Sequence, residues 1–116
     1  MEFQVTASLL DACVLAAVAE EDTYGYALTQ RLRAVVDVSE STLYPVLRRL
    51  QKQGLLSTYD QPHNGRNRRY YVVSPLGRQE HRANQEAWES FKSRIDRLID
   101  GAASAAATDG VEGVPA

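Results

Sequence analysis

The sequence predicts a mainly α-helical fold with one small β-hairpin, and three observations carry that reading. Apolar residues recur at helical spacing in four separate stretches. Between the third and fourth the period changes, and two β-prone runs flank a turn-rich segment containing Asn64-Gly65. A chain of 116 residues, 44% of them hydrophobic, has room for one compact domain and a core to match.

The first helix is expected from Thr6, a suitable N-cap, to about Ala19. Leu9, Leu10, Cys13, Val14, Leu15, Ala17 and Val18 fall on more than one of its faces, which implies a helix covered on two sides. Glu20-Glu21-Asp22 would place acids at the negative end of the helix dipole, so the helix should stop before them. Thr23 is expected to cap a second helix running to about Val36, with Tyr24, Ala27, Leu28, Leu32 and Val35 or Val36 as its buried stripe. Gly25 in the first turn costs about 1 kcal/mol of helix propensity against Ala, which implies that another group approaches closely there.

After a break at Asp37-Val38-Ser39, either Ser39 or Ser41 caps a third helix that Gly54 ends. Leu43, Val46, Leu47 and Leu50 share its inner face, while Ser41, Thr42, Tyr44, Arg48, Arg49 and Lys52 are left outside. Pro45 fits only near a first turn, which supports a start close to Ser41. Residues 55–59 and 69–73 read as the strands of a hairpin whose basic loop runs from Gln61 to Arg68. Ser74 then caps a long fourth helix with Pro75 at its first position, ending near Asp100. In its last half Trp88, Phe91, Ile95 and Leu98 are spaced as in a coiled-coil seam, and a second subunit is expected to cover them. The expected organisation is therefore residues 1–74 as one folded domain, 75–100 as a dimerisation helix and 101–116 as a disordered tail of Ala, Gly and small polar residues.

Several function classes are excluded. No apolar run approaches the roughly 18 residues that cross a bilayer, and the N-terminus lacks the pattern of a secretory signal. With a single cysteine, Cys13, there is no internal disulfide, and the chain is expected to be cytoplasmic. Cys13, His63 and His81 do not stand at metal-ligand spacing, so no metal is expected. No nucleophile and base pair at a catalytic spacing, and no Gly-rich phosphate loop follows a strand. Neither an enzyme nor a cofactor is expected. Cys13 reads as a small buried apolar residue.

The net charge of −2 is unevenly distributed. Residues 1–30 hold five acids and no base, whereas residues 31–82 hold ten bases against four acids, a local charge of +6. A basic middle between acidic ends is an electrostatic footprint for phosphate. Helix, helix, short break, helix and hairpin is the order of a winged helix-turn-helix, in which the third helix enters the DNA major groove and the hairpin reaches the flanking backbone. The basic residues fall where that arrangement needs them: Arg48, Arg49 and Lys52 on the third helix, Arg66, Arg68 and Arg69 on the hairpin, and Arg31 and Arg33 on the second helix as additional contacts.

Tyr24-Gly25-Tyr26, then the block from Ser41 to Leu50 (STLYPVLRRL) with Gly54-Leu55-Leu56, then Gly65 to Tyr71 (GRNRRYY) and Ser74-Pro75-Leu76-Gly77 resemble the PadR family of bacterial transcriptional regulators. The resemblance covers roughly residues 7–100. It implies a homodimeric repressor of the compact subgroup, bound to double-stranded operator DNA and released by a small molecule. It implies DNA contacts from Ser41, Thr42 and Tyr44, with Arg48 beside them, and from Tyr24 near the backbone; Arg66 and Arg68 are the wing contacts. It also pairs the last helix with the partner's first helix, which makes Leu10, Val14, Trp88, Phe91, Ile95 and Leu98 dimerisation residues. In multidrug-sensing members of that subgroup a tryptophan at the position of Trp88 sandwiches flat compounds. Trp88, with Gln85 and Lys92 one turn away, is thus either an effector site for planar aromatics or packing of the seam alone; Lys92 disfavours a cationic ligand. The rival from another class is a winged-helix module whose basic band meets an acidic protein, and salt-dependent DNA binding separates the two.

Overall fold

The computed structural model describes residues 3–101, which form two compact units, one reaching to Arg82 and one beginning at Ala83. The tail expected to be disordered lies, apart from Gly101, outside the described residues. In chain order the elements are α1 (Ala7–Glu20), β1 (Thr23–Tyr24), α2 (Gly25–Arg33), α3 (Glu40–Lys52), β2 (Leu56–His63), β3 (Arg66–Val73) and α4 (Pro75–Asp100). Four helices and a small antiparallel sheet of order β1-β3-β2 make this a winged helix, with β2 and β3 as the wing and α4 as the long C-terminal helix.

The first unit is held by one apolar cluster. Val14, Leu15, Ala17 and Val18 of α1 meet Leu28 and Leu32 of α2, the inner stripe Leu43, Val46, Leu47 and Leu50 of α3, and Leu56, Tyr71 and Val73 of the wing. That stripe is the one the apolar spacing of α3 predicts. Each leucine so enclosed contributes on the order of 2 kcal/mol relative to exposure. Ser39 is the α3 cap, its hydroxyl accepting from the Thr42 amide at 3.3 Å. Pro45 consequently lies beyond the first turn, five residues after the first helical position.

Three boundaries differ from the sequence expectation. Helix α1 extends through Glu20, because Arg31 forms an ion pair with that carboxylate and also donates to the Ala17 carbonyl at 3.2 Å. Arg78 donates to the Ala19 carbonyl at 3.5 Å, so two guanidiniums satisfy the end of a helix that has no base of its own. Thr23 does not cap α2. Paired with Tyr71 across the sheet, it spends its backbone on β1, and its side chain is buried. Helix α2 ends at Arg33 and not at Val36, since β-branched Val35 and Val36 are weak helix formers and Val35, 83% exposed, gains no burial from continuing the helix.

The wing is longer and tighter than an eight-residue loop would give. Asn64 and Gly65, with φ of 52° and 78°, form a two-residue turn of the kind whose twist matches paired strands, and β2 and β3 run unbroken to it. His63 and Arg66 flank the turn as a hydrogen-bonded pair, so Pro62 opposite Asn67 falls at a position where no amide is needed for the ladder. At the wing's base the Ser74 hydroxyl donates to the Gly54 carbonyl at 2.6 Å and accepts from the Gly77 amide at 2.9 Å, capping α4 as expected.

A candidate nucleic-acid interface

Four of the six tyrosines, Tyr24, Tyr26, Tyr44 and Tyr71, come together in the first unit where α3 and the wing meet the start of α2. A groove of about 800 Å³ opens there, lined among others by Tyr24, Tyr26, Tyr44, Tyr71, Arg48 and Arg68. Tyr44 projects from the outer face of α3 and reaches the first turn of α2. Its hydroxyl stands 2.6 Å from where a Cβ on Gly25 would be, which is the close approach implied by a glycine in that turn. Arg48, one turn further along α3, enters the same groove and has no ion-pair partner among the described residues.

The wing contributes an aromatic rung. Tyr24 of β1, Tyr70 of β3 and Tyr59 of β2 are cross-strand partners, and their side chains share the face opposite the core. Tyr59 and Tyr70 stack with ring planes 5° apart and centroids at 5.4 Å, while Tyr70 meets Tyr24 edge-on at 5.4 Å. Tyr59 donates its hydroxyl to Asp22 at 2.9 Å. That bond, which needs the proton in place, raises the Tyr59 pKa above the usual phenol value. Arg68 lies over Tyr24 with its guanidinium carbon 3.9 Å from the ring centroid, and its Nη1 donates to the Tyr70 hydroxyl at 3.4 Å. On the core face burial raises the Tyr71 pKa, an effect that Arg69 opposes.

The residues expected at DNA are therefore distributed unequally. Tyr24, Tyr44, Arg48 and Arg68 converge on the groove. Ser41 and Thr42 are exposed at the start of α3, their hydroxyls 3.0 and 3.1 Å from that of Ser39. Lys52 is exposed at the end of α3, and Arg66 at the wing tip beside His63 and Asn64. Arg49 is turned to Asp11 of α1, with which it forms an ion pair. Arg69 faces Asp60 across the hairpin at 3.6 Å. Arg31 and Arg33, expected as additional contacts, brace the fold instead: Arg31 holds the end of α1, and Arg33 donates to the Val38 carbonyl at 3.0 Å.

Asp11, Asp22, Tyr59 and Tyr70 were not foreseen. The signal for two of them was present, because counting outward from the Asn64-Gly65 turn sets Tyr59 opposite Tyr70. Asp11 and Asp22 make contacts 38 and 37 residues distant in sequence, which no local pattern encodes.

The second unit is the remainder of α4. Trp88 and Phe91 lie side by side with ring centroids 6.2 Å apart, and each is nearly half exposed. Leu98 is 80% exposed and Ile95 half-buried. Gln85 is exposed, and Lys92 pairs with Glu89 at 3.1 Å. Val14, expected in a dimer seam, is corrected: it is wholly enclosed by its own chain's core, which leaves Leu10 as the partly exposed candidate on α1. Among the described residues no helix is long and apolar enough to cross a membrane, and no group of side chains could hold a metal ion.

Residues 14–83 match the model of the transcriptional regulator PadR-like family. A transcriptional regulator of Mycobacterium tuberculosis is 37% identical over 81% of this chain and 87% of its own. Among solved structures, a Streptococcus mutans protein superposes with a TM-score of 0.81 at 39% identity, covering 87% of this chain and 95% of the other. A PadR-like regulator of Bacillus cereus superposes at 0.75 and 28% identity, covering 81% and 94%. Bacillus subtilis PadR, solved in complex with operator DNA, shares the fold at a TM-score of 0.61 and 19% identity, over 68% of this chain and 46% of that one. With a matching family model over most of its length and the wing, α3 and tyrosine motifs in order, the chain belongs to the PadR-like family of DNA-binding transcriptional regulators, which are not enzymes.

Proposed function

We propose that the chain is a cytoplasmic homodimeric repressor that binds an operator through α3 and the wing and is released by a planar aromatic effector held between subunits at α4. The observation that carries the DNA contacts is the convergence of Arg48 from α3 and Arg68 from the wing on one tyrosine-lined groove. Two guanidiniums from separate elements, in a groove that tyrosines also line, suit a phosphodiester backbone. Ser41 and Thr42, at the leading end of α3, are the candidates for base edges, Arg66 and Lys52 extend the track to neighbouring phosphates, and Arg49, paired with Asp11, positions α3 without contacting DNA itself. The operator complex of Bacillus subtilis PadR supports this use of the fold.

The dimer is supported by the apolar stripe of Trp88, Phe91, Ile95 and Leu98, which the described residues leave largely uncovered. Paired Trp88 rings would stack a flat ligand, with Gln85 and Lys92 as polar partners. A ligand that widens the seam would change the spacing of two α3 helices, and operator affinity would fall by linkage. The test is DNA binding across salt. Affinity should fall steeply between about 50 and 200 mM salt, and Arg48→Ala and Arg66→Ala should each flatten the slope by about one unit. Equal affinity for the chain's own promoter and random duplex would overturn the repressor reading.

A further inference from the structure

We infer that Asp22, Tyr59 and Tyr70 are positioning residues that hold the wing guanidinium of Arg68 in its DNA-contacting place. The inference rests on the proposed phosphate role of Arg68. An arginine on a two-stranded wing has many rotamers, and ordering it on DNA costs affinity. Here one face of the guanidinium is covered by Tyr24 at 3.9 Å and Nη1 is committed to the Tyr70 hydroxyl at 3.4 Å. The remaining N–H groups are left to the groove that Arg48 also lines.

The support for Arg68 is itself supported. Tyr70, which accepts from Arg68 and meets Tyr24 edge-on, has Tyr59 stacked on its other side. Tyr59 stands on the outer strand β2, where nothing in the sheet lies beyond it. Its hydroxyl reaches back to Asp22, one residue before β1. The Asp22 bond therefore joins the two outer strands across β3 and closes the rung from the side away from Arg68. The chain from Asp22 through Tyr59 and Tyr70 to Arg68 fixes the tilt of the wing and the guanidinium's location together. A carboxylate in this role sits far enough along the rung to avoid competing with phosphate for Arg68, since its proton-donating partner is the Tyr59 hydroxyl.

The experiment measures the affinity of the full chain for a fluorescent random-sequence duplex between about 50 and 200 mM salt, with thermal unfolding of every variant alongside. Arg68→Ala should lower the salt slope by about one unit. Tyr59→Ala should weaken binding about fivefold and Asp22→Ala about threefold, and neither should weaken it further once Arg68 is alanine. Tyr59→Phe, which keeps the stack and loses the Asp22 bond, should fall between wild type and Tyr59→Ala, and it carries the test if Tyr59→Ala does not fold. Losses that multiply with that of Arg68→Ala, or no loss in Tyr59→Phe and Asp22→Ala, overturn the inference. An unchanged slope in Arg68→Ala, with Arg48→Ala still effective, overturns it while leaving the proposed function standing. A wild-type chain without salt-dependent binding overturns that function itself.

Discussion

The Tyr44 hydroxyl occupies the space that a β-carbon on Gly25 would need, the two lying 2.6 Å apart. Tyr44 belongs to α3 and Gly25 to α2, so a missing side chain on one helix sets how a phenol on the other is presented to the groove. Gly25→Ala should gain up to about 1 kcal/mol of helix propensity and lose a similar amount by forcing the ring aside. Thermal unfolding should therefore change little. Affinity for DNA should fall about fivefold, and the same substitution should be silent on affinity when Tyr44 is alanine. Undiminished affinity in Gly25→Ala would remove Tyr44 from the interface.

Gly77 makes the opposite case, in which the obstruction cannot move. A Cβ there would collide with the backbone carbonyl of Leu55 and sit 2.8 Å from Val73 Cγ2, at the junction of wing and α4 that Ser74 also staples. Gly77→Ala should cost about 2 to 4 kcal/mol of stability, seen as a lowered urea midpoint. A variant as stable as wild type would mean that the first turn of α4 can lift away from Leu55.

The ion pair of Asp11 with Arg49 distinguishes two neighbouring arginines on α3 by sign. If Arg49 were a phosphate contact restrained by Asp11, removing the acid would free a positive charge and strengthen binding. The structure instead makes the pair a brace between α1 and α3. Asp11→Ala is expected to weaken DNA binding about threefold with an unchanged salt slope, and Arg49→Ala should do the same. The pair is partly exposed, so its effect on stability should stay below about 1 kcal/mol. Tighter binding by Asp11→Ala would restore Arg49 to the DNA contacts.

These examples show what was legible in the sequence and what was not. The inner face of α3, the Ser74 cap with Pro75 behind it and the need for a close neighbour at Gly25 are local patterns, and each can be read from spacing or backbone cost. Thr23 deceived because its capping chemistry is local while its pairing with Tyr71 is not. The wing's length was hidden by Pro62 and the polar run around it, although the Asn64-Gly65 turn alone determines the register. Arginines were the least legible residues. Arg31, Arg33, Arg49 and Arg78 count toward the basic stretch, yet each makes a contact inside the fold, so local charge does not say which guanidiniums are left available for a partner.

Trp88 is the only tryptophan of the chain, so its emission reports on α4 without interference. In one chain the ring is 45% exposed and lies beside Phe91. Pairing with a second copy should bury both, giving blue-shifted emission that moves to the red as the protein is diluted through its dissociation range. Trp88→Glu should yield a monomer by sedimentation and weaken operator binding at least about 100-fold, because one half-site then acts alone. Planar aromatic compounds that enter between paired indoles should quench the emission and lower operator affinity in parallel. Quenching by none of a varied panel, with affinity unmoved, would leave Trp88 as packing of the seam, whereas emission independent of dilution in a monomeric protein would reject the seam as well.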